Sequence, residues 1–129
     1  MLIKTREETK YIVLVSTGTY PDDETTAEQS RKTDTKKGFL NPCFHYFVER
    51  DGNVETGREL DKFSGGLKRF NRHAVTVKWS GGKDKRLKKL VNNNFTSYQK
   101  ETLSDILDEL RDLYPDARVI HYNDLIKLK

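Results

Sequence analysis

The chain has little of what secreted, membrane-spanning or covalently stapled proteins depend on. A single cysteine, Cys43, stands among 129 residues, so no internal disulfide can form and a reducing compartment is expected. No apolar run approaches the roughly 20 residues that a bilayer-spanning helix needs. Residues Met1–Glu8 carry too short an apolar stretch, followed at once by acidic side chains, to read as a signal peptide. These features predict a cytoplasmic protein with no membrane partner. Several common catalytic signatures are missing as well. There is no Gly-x-Ser-x-Gly elbow and no Gly-Lys-Ser/Thr phosphate loop. No internal repeat or composition break marks a second domain, so residues 1–129 are expected to form one domain.

What is present is a polar, mildly basic chain. Hydrophobic and charged residues each make up 34%, and the formal net charge is +4, as suits a globular protein with a well-solvated surface. The positive excess is uneven. Lys83, Lys85, Arg86, Lys88 and Lys89 form one cluster, and Lys68, Arg69 and Arg72 form another. Such clusters attract anions. Nucleic acid is the least favoured anion, because the basic residues lack interleaved aromatics and any recognition module.

Local patterns predict the elements. Tyr11 to Val15 is a continuous β-branched apolar run, expected of a central strand covered on both faces. It leads into the hydroxyl-rich loop Ser16-Thr17-Gly18-Thr19. Thr25 to Glu28 reads as a capping box opening a short polar helix that ends near Gly38; with so few apolar residues this helix is expected to pack thinly. Phe44 to Arg58 reads as a strand, an Asp51-Gly52 turn and a returning strand. Alternation places Phe44, Tyr46 and Val48 on one face, and His45 and Phe47 on the other. Residues 61–71 form an irregular loop, His73 to Trp79 another strand, and Lys83 to Asn94 a basic loop or disordered excursion. Thr96 with Gln99 caps a long amphipathic helix whose stripe is Leu103, Ile106, Leu107, Leu110, Leu113 and Tyr114. Pro115-Asp116 ends it, and residues 117–121 form a last strand. This order predicts an α/β fold, a central mixed sheet flanked by helices.

The same landmarks resemble those of the N-acetylmuramoyl-L-alanine amidase and peptidoglycan-recognition family, in its phage lysozyme-amidase form, over almost the entire chain. The resemblance rests on Tyr11–Ser16, the hairpin Phe44–Arg58, Phe70-Asn71 with the strand running to Gly81-Gly82, Phe95-Thr96, and Tyr114–Ala117 leading to His121. It implies a zinc held by a His at the end of the first strand, a His after the last strand and a Cys or His beyond. The first of these positions falls on Val15, beside Ser16, and the second on His121. Residues 125–129 hold no counterpart of the third. The family's catalytic tyrosine falls on Phe44, which lacks the hydroxyl that would stabilise an oxyanion. A substitute metal set drawn from Cys43, His45, His73 and His121 is disfavoured, because these residues lie on different strands.

The expectation is therefore a phage-derived, non-catalytic binding protein of the amidase fold, with no metal, no cofactor and no catalytic residues. Its ligand site is expected in a cleft framed by Thr17, Thr19, Phe44, Tyr46, Lys68, Arg69, Arg72, His121 and Tyr122. The expected ligand is a small anion, a nucleotide-type signal ahead of a muropeptide, held as an anti-defence sponge in the host cytoplasm. The alternatives are a protein-binding inhibitor of a host or phage enzyme, and a residual amidase acting on peptidoglycan.

Overall fold

The computed structural model describes residues 3–23, 25–39, 41–91 and 94–128. The apolar run near the start forms β1 (Tyr11–Ser16), followed by α1 (Ala27–Lys36), the hairpin β2 (Tyr46–Val48) and β3 (Val54–Thr56), and β4 (Ala74–Trp79). A small hairpin, β5 (Lys83–Asp84) and β6 (Lys89–Leu90), precedes the long helix α2 (Ser97–Leu113). The described chain closes with β7 (Arg118–His121) and the single turn α3 (Tyr122–Leu125). The main sheet runs β3-β2-β4-β1-β7. Only the β2–β3 pair is antiparallel; β2–β4, β4–β1 and β1–β7 are parallel. The mixed sheet and flanking helices agree with the expected fold class.

Each face of the sheet has its own core. On one face Ile12 and Leu14 of β1, Val75, Val77 and Trp79 of β4, and Val48 of β2 meet the apolar stripe of α2. Leu103, Ile106, Leu107 and Leu110 are buried as expected, but Leu113, the last residue of the helix, is exposed. On the other face Val13, Ala74 and Ile120 pack with Leu67 and Leu125, while Phe44, Phe47 and Ala27 form a separate cluster under α1. Burying apolar surface on both sides of β1 and β4 accounts for their near-continuous hydrophobic sequence.

Local chemistry fixes the element ends. Thr96 caps α2 through a complete capping box with Gln99. At α1 the box lies one residue later than expected: Thr26 accepts from the Gln29 N–H while the Gln29 side chain accepts from the Thr26 N–H. Thr25 instead donates its hydroxyl to Thr19. In the hairpin, Gly52 supplies the positive φ (+87°) of the turn, a conformation costly for side chains with a Cβ. Gly57 is needed for a different reason. A Cβ there would lie 2.3 Å from the Phe44 carbonyl oxygen, so the returning strand approaches the backbone of Phe44 too closely for any side chain.

Two expectations are corrected here. Phe44 does not share a face with Tyr46 and Val48; its ring packs against Phe47 at a 58° tilt, centroids 5.3 Å apart, because the chain bends at His45 and regular pairing starts only at Tyr46. The basic segment after Gly82 is not a plain loop but the β5–β6 hairpin; Asn92 and Asn93 lie outside the described residues. As expected, α1 packs thinly: of its residues only Ala27, Ser30 and Asp34 are buried, and the last two form a polar stripe that sequence periodicity in apolar residues cannot register.

Candidate functional site

The carboxyl ends of the parallel strands β1, β4 and β7 open into two adjoining pockets, the place where open α/β sheets commonly bind ligands. The larger, about 520 Å³, lies on the α2 side and is lined by Leu14, Trp79, Phe95, His121 and Asp124 among others. The smaller, about 250 Å³, lies under α1 and includes Val15, Asp34, Lys37, Cys43, Phe44 and Lys78. Val15, Ser16, Thr17 and Tyr122 line both.

Sheet register explains the division. Parallel partners in register present their side chains to the same face. Leu14 pairs with Val77 and with His121, and Val77 with Tyr46, so this row faces α2. Val15 pairs with Lys78, and Lys78 with Phe47, so the next row faces α1. Val15 and His121 therefore point to opposite faces, and the residue of the last strand's exit that joins Val15 in the smaller pocket is Tyr122.

The sequence-derived site is thus only partly assembled. Thr17 and Tyr122 line both pockets, joined by His121 in the larger one and by Phe44 in the smaller. Tyr46 packs against the α2 core, and burial holds its phenol above the usual tyrosine range. Lys68 and Arg72 are exposed on the 3-10 turn Lys68–His73. Arg69 donates to the Leu128 carbonyl at 2.7 Å and covers the Phe70 ring, bracing the C-terminal segment. None of these four lines either pocket. Thr17 and Thr19 spend their hydroxyls on the loop itself: they share a 2.7 Å hydrogen bond, and Thr17 accepts from the Gly81 N–H.

Sequence reasoning missed Lys78 and Asp34. Lys78 is half-buried and donates from Nζ to the Ser30 hydroxyl at 2.7 Å. Desolvation lowers its pKa from the usual lysine value, Asp34 and Cys43 oppose that shift, and Lys37 adds to it. Asp34 accepts from the Cys43 N–H at 3.0 Å. The Cys43 thiol is pushed up to about 11, by burial first and then by Asp34, so it is a neutral thiol at physiological pH. The alternation Ala74-Thr76-Lys78 opposite Val75-Val77-Trp79 was the available signal: one face of β4 turns polar toward its carboxyl end.

His45 is a structural residue. Nδ1 accepts from the Thr76 N–H at 3.0 Å, Nε2 donates to the Lys62 carbonyl at 2.8 Å, and the ring is 1% exposed. Arg58 is structural too, donating to the carbonyls of Pro42, Phe63 and Ser64.

Comparison with known proteins places this architecture. No protein-family model matches the chain. The endolysin of Enterobacteria phage K11 is 31% identical over 120 residues, covering 93% of this chain and 78% of the phage protein. The endolysin of Escherichia phage T7 is 30% identical over 114 residues, covering 88% and 74%. Among solved structures, the Ph2119 endolysin from the Thermus scotoductus bacteriophage superposes with a TM-score of 0.77 at 21% identity, covering 98% of this chain and 79% of that one. The ectodomain complex of peptidoglycan recognition proteins LCa and LCx, bound to tracheal cytotoxin, gives 0.73 at 18%, covering 97% and 77%. The fold is that of N-acetylmuramoyl-L-alanine amidases and peptidoglycan-recognition proteins. Within that class, the chain belongs to the phage endolysin family.

The family's zinc can be tested against the residues in the cleft. Val15 offers no donor atom, and its register partner on the same face is a lysine, whose ammonium would repel a divalent cation. Among the described residues, no three His, Cys, Asp or Glu side chains are grouped to hold a metal ion. The described residues do not fit a zinc ion.

Proposed function

We propose that this protein binds an anionic peptidoglycan fragment in the cleft under α1 and does not hydrolyse it. The observation that carries this reading is the combination of an endolysin-type cleft with Val15 and Lys78 side by side at its floor. Amide hydrolysis in the family manner requires a bound metal that polarises the carbonyl and activates water. A valine and a lysine provide neither function, and Phe44 offers no hydroxyl to a developing oxyanion. Binding places weaker demands on the site. The pocket combines a half-buried cation, a second lysine at the rim, aromatic faces and hydroxyls, a set suited to a small carboxylate-bearing ligand. A peptidoglycan recognition complex of the same fold is bound to tracheal cytotoxin, a muropeptide, which favours that ligand kind over a nucleotide. A binder that does not cleave would act by sequestering its ligand.

The test has three arms on one preparation purified without chelator. Calorimetric titration with soluble muropeptides is expected to give saturable heat, and titration with cyclic nucleotides none. Metal analysis is expected to find far less than one zinc per chain. Incubation with peptidoglycan is expected to release no peptide. Saturable nucleotide binding without muropeptide binding would replace the ligand. Stoichiometric zinc together with released peptide would replace the whole reading with that of an active amidase.

A further inference from the structure

The geometry points to Lys78 as the anion-recognition residue of this cleft, its ammonium receiving a ligand carboxylate that lies beside a ligand N–H group. The inference deepens the muropeptide reading and rests on it. Lys78 stands on the same face as Val15, on the neighbouring strand and in register with it, so its charge sits next to the position where the family resemblance puts a metal ligand. An ammonium has three donors, and the Ser30 hydroxyl takes one. Asp34 lines the same pocket but makes no ion pair with Lys78 within 4.0 Å among the described residues. The two opposite charges therefore share the pocket wall without neutralising each other by contact.

That arrangement selects among anions. A phosphate monoester brings nearly two negative charges and no donor, and would meet the Asp34 carboxylate. A carboxylate brings one charge, matched to one ammonium, and its neighbouring amide N–H can donate to Asp34. The pairing of a free carboxylate with an adjacent N–H is that of a peptide residue with a free acid group, as in an uncrosslinked peptide stem. Lys37 at the rim adds positive potential at the entrance. Lysine acts here as a point charge, and no arginine among the described residues lines the pocket to fork a phosphate.

The probes are a muramoyl-tripeptide in its free-acid form and the same molecule with every carboxylate amidated. Both are titrated calorimetrically into the wild-type chain, Lys78→Met and Lys78→Arg. Wild type is expected to prefer the free acid by about tenfold or more, the range of one charge-assisted hydrogen bond. Lys78→Met should lose that preference and bind both probes like the amidated one, while Lys78→Arg should keep most of it. If Lys78→Met fails to fold, Lys78→Gln, which retains a donor for Ser30, takes its place with the same expectation. Equal wild-type affinity for both probes, or a preference that survives the loss of the charge, overturns the role of Lys78 and leaves the muropeptide reading standing. A wild-type chain that binds neither probe overturns both.

Discussion

Acidification should destabilise this fold through one histidine well before its carboxylates protonate. His45 is held neutral: Nδ1 accepts from Thr76 and Nε2 donates to the Lys62 carbonyl. Burial, followed by nearby Arg6 and Arg58, lowers its pKa from 6.5 to about 4, against a raising contribution from the Lys62 hydrogen bond. Protonating Nδ1 would set its proton against the Thr76 N–H and strand a charge in the core. Between about pH 4 and 6.5 the unfolded chain thus binds more protons than the folded one. The contribution is fully present above pH 6.5 and is lost as pH falls toward 4. The difference of about 2.5 units corresponds to about 3 kcal/mol, of which about 2 kcal/mol is gone by pH 5. Urea unfolding followed by the fluorescence of Trp79, the one tryptophan and a buried one, measures this at pH 7, 6 and 5. His45→Asn keeps an acceptor near the Thr76 N–H and cannot titrate. It should cost about 1–3 kcal/mol at pH 7 but flatten the slope across the window. If wild type and variant lose stability in parallel from pH 7 to 5, the assignment to His45 is wrong.

Three further outcomes follow from single residues. Gly57→Ala should lower stability by about 3 kcal/mol, as overpacking against a rigid backbone does, because its Cβ meets the Phe44 carbonyl; a thermal midpoint equal to wild type would refute the close approach. Thr96→Ala should cost about 1–2 kcal/mol, near the top of the range for a cap, since its hydroxyl also donates to the Arg50 carbonyl at 2.6 Å; denaturant midpoints at unchanged m-value test it. Cys43 should react with iodoacetamide at pH 8 about 100-fold more slowly in the folded protein than in urea, because burial moves its pKa from 9.0 to about 11; equal rates would mean the thiol is not buried as described.

How much of this was legible in the sequence depended on whether the signal was local. The Tyr11–Ser16 strand, the Asp51-Gly52 turn and the Thr96–Gln99 capping box are written in adjacent residues, and all three are found in place. What failed was parity across strands. Whether residue 121 or 122 joins Val15 depends on the register between β1 and β7, which no window of sequence contains. Phe44 was given the wrong face because alternation was extended two residues beyond the regular strand. Lys78 and Asp34 lie 44 positions apart in sequence, and each alone reads as a solvated charge. The expected cations Lys68, Arg69 and Arg72 were chosen because they cluster in sequence, yet the cleft draws its charge from Lys78 on β4 and Lys37 just past α1.

A valine at the position where the family resemblance puts a metal ligand and a lysine beside it have different consequences, and the second is the more informative. Loss of a ligand alone would leave an apolar gap, which an aromatic or aliphatic side chain could fill. A lysine there carries a desolvation cost, seen in its lowered pKa, and natural cores avoid that cost unless the charge is used or matched. Ser30 and Asp34 match it only in part: one hydrogen bond, and one carboxylate out of contact. A charge fixed covalently to the sheet can attract an anion, but it cannot exchange ligands or activate water as a Lewis acid does. Under the proposed reading, the cleft has kept the electrostatic half of a metal site and given up the chemical half. Binding would then persist where hydrolysis does not, and introducing Val15→His alone should not restore cleavage while Lys78 holds the neighbouring position.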